Sequence, residues 1–259
     1  MIVRKGASEI ARIASSGTLV ARTISHVGER IEPGITTLEL DRIADDFIRE
    51  NGGVPTSLGY RGYPRAICIS VNEVVVHGIP DERVVEEGDL VTIDVGVTLE
   101  GAIADSAYTF GVGAVDAKAQ RLLDVCQDAL AAGIAEARLG NRIGDISHAV
   151  QILVEDAGFS VVKSLVGHGV GRHYHEDPHV PNFGEPGRGP MLSEGMTIAI
   201  EPMITAGSPD VVLREDEWTI ATADRSLSAH YEHTVAITAD GPRILTERAA
   251  DREFAGLLP

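Results

Sequence analysis

A chain of 259 residues with 44% hydrophobic content can bury a sizeable core without crosslinks, and its formal charge of −17 opposes broad attachment to nucleic-acid phosphate. The two cysteines, Cys68 and Cys126, lie in no paired spacing, which argues against a disulfide framework or structural zinc site and fits a reducing compartment. Arg4 and Lys5 have no apolar run behind them and no stretch reaches the length of a membrane span, so the expected location is the cytoplasm, with no membrane and no specific nucleic-acid partner.

Ile10, Ile13, Gly17, Val20, Ala21, Ile24 and Val27 recur at helical spacing and predict the first helix. A second starts at a capping box, Thr36 and Glu39, carries Leu40, Ile43, Ala44, Phe47 and Ile48 on one face, and stops at Asn51-Gly52-Gly53. Residues 66–71 and 74–76 are strand-like. Strands over 90–98 and 102–110 follow, joined by a short turn near Glu100-Gly101. Helices are expected over about 116–139 and 145–157, the latter turning Ile146, Ala149, Val150, Leu153 and Val154 inward and ending at Gly158. Then come a strand over 160–166, a long loop over 167–190 rich in Gly, Pro and His, and strands over 196–204, 218–222 and 229–238. Helix pairs alternating with antiparallel strands suggest α+β layering around one shared core, and no linker-like stretch divides the chain.

The chemical signal is a set of charged side chains where strands otherwise look buried. Asp94 interrupts the apolar run Leu90-Val91-Thr92-Ile93-Asp94-Val95, and an unpaired buried carboxylate costs a large share of a domain's net stability. It needs a partner, and Asp105 lies on the next strand. A two-residue turn at Leu99-Glu100 sets the two opposite each other, whereas a turn at Glu100-Gly101 makes them diagonal neighbours. Either register puts both on one sheet face within about 5 to 8 Å, although a three-residue loop would break that parity. Two carboxylates so close repel unless they share a proton or a cation.

Three more groups appear downstream. His168 sits between glycines in Gly167-His168-Gly169-Val170-Gly171, Glu201 closes the run Met196-Thr197-Ile198-Ala199-Ile200 ahead of Pro202, and Glu232 is read as lying on the strand Ala229-His230-Tyr231-Glu232-His233-Thr234-Val235. Taken singly, each is more often structural than catalytic. Together, four carboxylates and one imidazole form an oxygen-rich set with some nitrogen, which suits Mn, Fe, Co or Zn. Their summed charge of −4 balances two divalent cations, and a hydroxide held between such ions would be nucleophilic near neutral pH.

The ordered series His77, Asp94, Asp105, His168, His175, Glu201 and Glu232 resembles the type I methionine aminopeptidases. The runs Val71-Asn72-Glu73-Val74-Val75-Val76-His77-Gly78-Ile79-Pro80, Ile93-Asp94-Val95-Gly96, His175-Glu176-Asp177-Pro178, Ile200-Glu201-Pro202-Met203 and Tyr231-Glu232-His233-Thr234 carry the resemblance along nearly the whole chain. Leu165, where the family often has an aromatic or Met, and Phe183, where Tyr is common, depart from its pattern away from the ligands. The resemblance implies an α+β (α/β) pita-bread fold, two pseudo-symmetric halves of antiparallel sheet with helices packed outside. It also implies a single catalytic domain over residues 1–259 without an N-terminal extension domain.

The same resemblance implies two divalent metal ions per chain (Co, Mn, Fe or Zn), with Asp94 on one, His168 and Glu201 on the other, and Asp105 and Glu232 as bridges. A hydroxide between them would attack the carbonyl of the first residue, and Glu201 would shuttle its proton to the leaving amine. His175 would polarise the carbonyl and His77 would contact the substrate near the scissile amide. Tyr60, Tyr63, Cys68, Tyr174 and Trp218 would line the methionine pocket. The implied substrate is the N-terminal methionine of nascent polypeptides, with a small second residue favoured, and the implied partner is a transient ribosome contact made by a monomer.

Two other readings compete. A proline-directed relative, aminopeptidase P or prolidase, usually carries an extra N-terminal domain, which is not expected here with the first helix beginning near Ser8. A non-catalytic binding relative would have lost metal ligands, and all five are present. His173, His179, His230 and His233 sit near the motifs and are expected to be supporting or surface residues, whereas His26 and His148 fall on helices and are expected to be unrelated.

Overall fold

In the computed structural model, which describes residues 1–248, the stripe Ile13, Gly17, Val20, Ile24 and Val27 winds into α1 (Ala7–Gly28) with every one of these residues buried. At the start of α2 (Thr37–Glu50) both halves of the expected capping box form. The Thr36 hydroxyl accepts from the Glu39 N–H at 3.2 Å, and the Glu39 carboxylate accepts from the Thr36 N–H at 2.9 Å. The chain then passes through β1 (Val54–Pro55), a 3-10 turn (Tyr60–Gly62), β2 (Cys68–Val71) and β3 (Val74–Val76) into the long hairpin β4 (Leu90–Leu99) and β5 (Ala102–Gly111). Ile13, Ile24, Leu40 and Ile48 of the helices meet Val91, Ile93, Val95 and Val97 of β4 in one buried cluster. Truncating one such fully buried Ile or Leu to Ala costs about 2–5 kcal/mol.

A second helix pair, α3 (Ala117–Glu136) and α4 (Ile143–Asp156), repeats the arrangement. After it come β6 (Ser160–Val161), β7 (Val166–Gly169), β8 (Glu176–Pro181), β9 (Thr197–Ile200) and β10 (Met203–Thr205). These are followed by β11 (Val211–Leu213), β12 (Ile220–Thr222), β13 (Ser228–His230), β14 (His233–Thr238) and β15 (Gly241–Ile244). Leu122, Leu130, Ile146 and Val150 pack on Ile198, Ile200, Val235 and Ile237, which belong to the antiparallel sheet β15-β14-β9-β7-β8. Each half therefore has a helix pair outside and an antiparallel sheet inside, the pita-bread arrangement. Among the described residues no helix is long and apolar enough to cross a membrane.

Several expected elements differ. Residues 196–204 split into β9 and β10 around Glu201-Pro202, and 229–238 split into β13 and β14 around Tyr231-Glu232, so Glu232 lies between strands rather than on one. Pro202 has no N–H to give a ladder, and the Tyr231 N–H reaches the Pro202 carbonyl at 3.4 Å, which puts the two breaks side by side. The expected loop over 167–190 contains β8 and most of β7, while only β6 forms within 160–166. The edge strands β1, β11 and β15 lie outside every expected strand.

Candidate metal centre

Alternation along the β4–β5 hairpin decides which side chains face inward. Val91, Ile93, Val95 and Val97 of β4, with Ala102 and Ala104 of β5, join the α1–α2 core, which puts Asp94 and Asp105 on the opposite face. The turn is at Glu100-Gly101, both at positive φ (51° and 73°), and it pairs Leu99 with Ala102. Asp94 then faces Ala107 and Asp105 faces Gly96, the diagonal one of the two registers. Cys68 of β2 stands beside Asp94 from the other edge.

Hydrogen bonds between β5 and residues 232–234 stitch the two halves together at the site. The Thr234 hydroxyl donates to the Asp105 carbonyl at 2.8 Å and accepts from the Asp105 N–H at 3.0 Å. One residue on, the Ser106 hydroxyl donates to the Glu232 carbonyl at 2.5 Å, and the Glu232 N–H donates to the Ala107 carbonyl at 2.9 Å. Thus β5 satisfies the backbone that the break between β13 and β14 leaves open. On the opposite wall His168 is held by close backbone approach. A Cβ on Gly167 would lie 2.4 Å from the Ala199 carbonyl oxygen and one on Gly169 would lie 2.2 Å from that of Asp177, so only glycines let β9 and β8 close around the histidine.

The resulting cluster is electrically incomplete. His168 Nδ1 is 3.0 Å from the Gly169 carbonyl oxygen, a contact that keeps the ring proton there and turns the Nε2 lone pair toward the carboxylates. Nε2 is 3.4 Å from Glu201 Oε1 and 3.9 Å from Asp105 Oδ2. One donor atom from each of Asp105, His168 and Glu232 lies within 4.8 Å of the others. Burial pushes the carboxyls of Asp94, Asp105, Glu201 and Glu232 up, and for the last three the negative charges of their neighbours push further. Burial also drops the His168 imidazole to about 4. Oε1 of Glu201 and Oε1 of Glu232 are buried without a hydrogen-bond partner. A buried cluster that gathers like charges and leaves acceptors unpaired calls for cations, and this donor set fits divalent ions of the Mn-to-Zn series.

Two walls of rings flank the carboxylates. On one, Tyr60 and His175 pair through the Tyr60 hydroxyl and His175 Nδ1 at 2.9 Å, and the His175 ring centroid lies 4.2 Å from that of His168. Burial, then the nearby His168 and His77, holds the His175 imidazole down to about 3. The Tyr174 hydroxyl sits 3.0 Å from Ser57 Oγ and donates to Asp105 Oδ1 at 3.5 Å. That ring fits only because position 96 is glycine, whose Cβ would lie 2.4 Å from the Tyr174 oxygen. On the other wall Trp218 packs edge-on against Tyr63 at 5.1 Å and against His77 at 6.2 Å, and the Tyr63 hydroxyl donates to the Gly78 carbonyl at 2.8 Å. Burial lowers the His77 pKa as well.

Asp94, Asp105, His168, Glu201, Glu232, His77, His175, Tyr60, Tyr63, Cys68, Tyr174 and Trp218 all line a single cavity of about 350 Å³. The sequence reading missed Ser57, Arg61 and Met203 as lining residues and set aside His179 and His230, which line it too. Nothing in the local sequence separates His230 from His233; the latter instead pairs with the Thr246 hydroxyl at 2.9 Å. His173 is exposed, His26 stacks on Phe47 at 4.2 Å, and His148 Nδ1 lies 3.2 Å from the Gly184 carbonyl oxygen; none of the three lines the cavity. Leu165 lines the cavity, whereas Phe183 packs into the α3–α4 core.

Comparison with known proteins gives the same picture. Metallopeptidase family M24 matches residues 11–239. A Clostridium perfringens protein named methionine aminopeptidase is 49% identical over 246 residues, spanning 95% of this chain and 99% of its own length. The crystal structure of a methionine aminopeptidase from Rickettsia prowazekii superposes with a TM-score of 0.94 at 40% identity, covering 95% of this chain and all (100%) of that one. A prolidase from Pyrococcus furiosus shares the fold alone, with a TM-score of 0.77 at 22% identity, covering 95% of this chain and 65% of its own.

Proposed function

The chain belongs to metallopeptidase family M24, and from that premise we propose that it removes the N-terminal methionine of nascent proteins and peptides at a two-metal centre. The observation that carries the reading is the convergence of Asp94, Asp105, His168, Glu201 and Glu232 on one cavity walled by aromatic rings. We assign Asp94 to one ion, His168 and Glu201 to the other, and Asp105 and Glu232 to both. Divalent ions held there would supply Lewis acidity and lower the pKa of water.

The chain's own groups supply the rest. Glu201 carries the proton from the attacking water to the leaving amine, which is general acid–base work. The Tyr60 hydroxyl lies 2.9 Å from His175 Nδ1; in the tautomer where it donates there, the His175 proton is on Nε2, available to the scissile carbonyl oxygen as negative charge develops. His77 contacts the peptide near the scissile amide. The methionine side chain lies among Tyr63, Trp218, Cys68, Tyr60 and Tyr174, where a thioether meets ring edges and a buried thiol. The cavity of about 350 Å³ has room for such a side chain. The same proposal includes a cytoplasmic monomer in transient contact with the ribosome; two free, buried cysteines fit a reducing compartment.

A peptide panel tests the reading. Methionine should be released readily from Met-Ala peptides and at least about tenfold more slowly from Met-Ile peptides, since one pocket contact is worth 1–3 kcal/mol. Cleavage beside proline without methionine release would replace it with the proline-directed reading, and a protein that cleaves neither would favour a binding role.

A further inference from the structure

We propose that His230 is a second nitrogen ligand of this metal centre, beside His168, and that it biases the centre toward nitrogen-preferring ions. The proposal rests on the two-metal reading above and adds a residue to it. On β13, His230 lies opposite Met203 of β10, and Thr109 of β5 clamps its backbone. The Thr109 hydroxyl accepts from the His230 N–H at 3.0 Å and donates to the His230 carbonyl at 2.8 Å. The residue is 2% exposed, and neither ring nitrogen has a hydrogen-bond partner. A buried imidazole in that condition is rare and calls for a missing partner.

The spacing identifies the partner. His230 Nε2 is 3.9 Å from Glu201 Oε2 and 3.9 Å from Glu232 Oε2, too long for hydrogen bonds. Two donors each about 2.1 Å from one ion stand roughly 3 to 4 Å apart. His168 Nε2 shows the same pattern, 3.4 Å from Glu201 Oε1 and 3.9 Å from Asp105 Oδ2. Glu201 therefore sits between two imidazoles, with Oε1 toward His168 and Oε2 toward His230. A neutral imidazole adds a donor without changing the charge balance. It shifts the site from oxygen toward nitrogen, which favours Co²⁺ and Zn²⁺ over Mn²⁺. His168 Nδ1 has a carbonyl to hold its proton and His230 Nδ1 has none, so His230 is the weaker ligand of the two.

Proton NMR of the Co²⁺-loaded protein reads the number of bound rings directly. Wild type should show ion-shifted, exchangeable imidazole N–H resonances from two rings, and His230→Gln from one. By titration calorimetry, Co²⁺ affinity of His230→Gln should fall by more than the roughly 10–100-fold that loss of an outer partner of a ligand costs, with a smaller change for Mn²⁺. The wild-type resonances decide the matter even where the variant fails to fold. Ion-loaded wild type with one shifted ring, or a folded His230→Gln with unchanged Co²⁺ affinity, overturns the proposal and leaves the two-metal reading standing. Wild type that takes up no divalent ion overturns both.

Discussion

At the scale of single residues, the site is built from groups whose burial is unfavourable until something offsets it. Asp105 and Glu232 are 5% and 2% exposed, and each is pushed toward its neutral form by burial and by carboxylates beside it. That same conflict made Asp94 and Asp105 visible in the sequence, because a charge inside an apolar strand has to be explained. Histidine gives no such signal, since it is common in either setting, and only coordinates set His230 apart from His233. Side chains at the rim have a separable job. His175→Ala should lower kcat by about 10²–10³, as loss of an oxyanion-type donor does, while metal content by elemental analysis stays near wild type. A variant that loses its metal would make His175 a ligand instead.

At the scale of elements, the long amphipathic helices and the hairpin are legible because their periodicity is local. The breaks at Glu201-Pro202 and Tyr231-Glu232 are less so, since what completes them is a neighbouring strand: β5 caps the second through Ser106 and Ala107. Strand β8 escapes the sequence for a similar reason. Its pairing depends on the close approach allowed by Gly167 and Gly169, and not on alternating β-branched residues.

The loop ahead of β8, which carries Tyr174 and His175, is tied down by Glu176. Its carboxylate accepts from the Arg172 and His173 N–H groups at 2.7 and 2.8 Å and from Lys5 Nζ at 2.7 Å. Burial pushes the Glu176 pKa up, but the Lys5 ammonium and those N–H groups outweigh it and hold the carboxyl below its ordinary 4.5. A depressed folded pKa gives stability that is present above 4.5 and is lost as pH falls through the folded value. Acid titration of thermal stability should therefore show a decline below about pH 4.5 that is shallower in Glu176→Gln. Parallel curves for the two proteins would mean that the buried pair contributes nothing to the acid limb.

At the scale of the whole molecule, two similar halves each bury one face against their helices and turn the other toward a shared cavity. The first half supplies Asp94 and Asp105 from one hairpin, and the second supplies His168, Glu201 and Glu232 from a glycine-flanked strand and two strand breaks. On the proposed assignment neither half holds a complete donor set, so the reaction would depend on the seam between β5 and β14. Stripping the protein with a chelator, then counting bound ions against methionine released from a Met-Ala peptide as Co²⁺ or Mn²⁺ is returned, tests this most directly. The stripped wild type should be inactive and recover as ions bind up to two per chain, while Asp105→Asn binds them more weakly and stays inactive. Methionine release by the stripped protein, or wild-type turnover by Asp105→Asn, would contradict it.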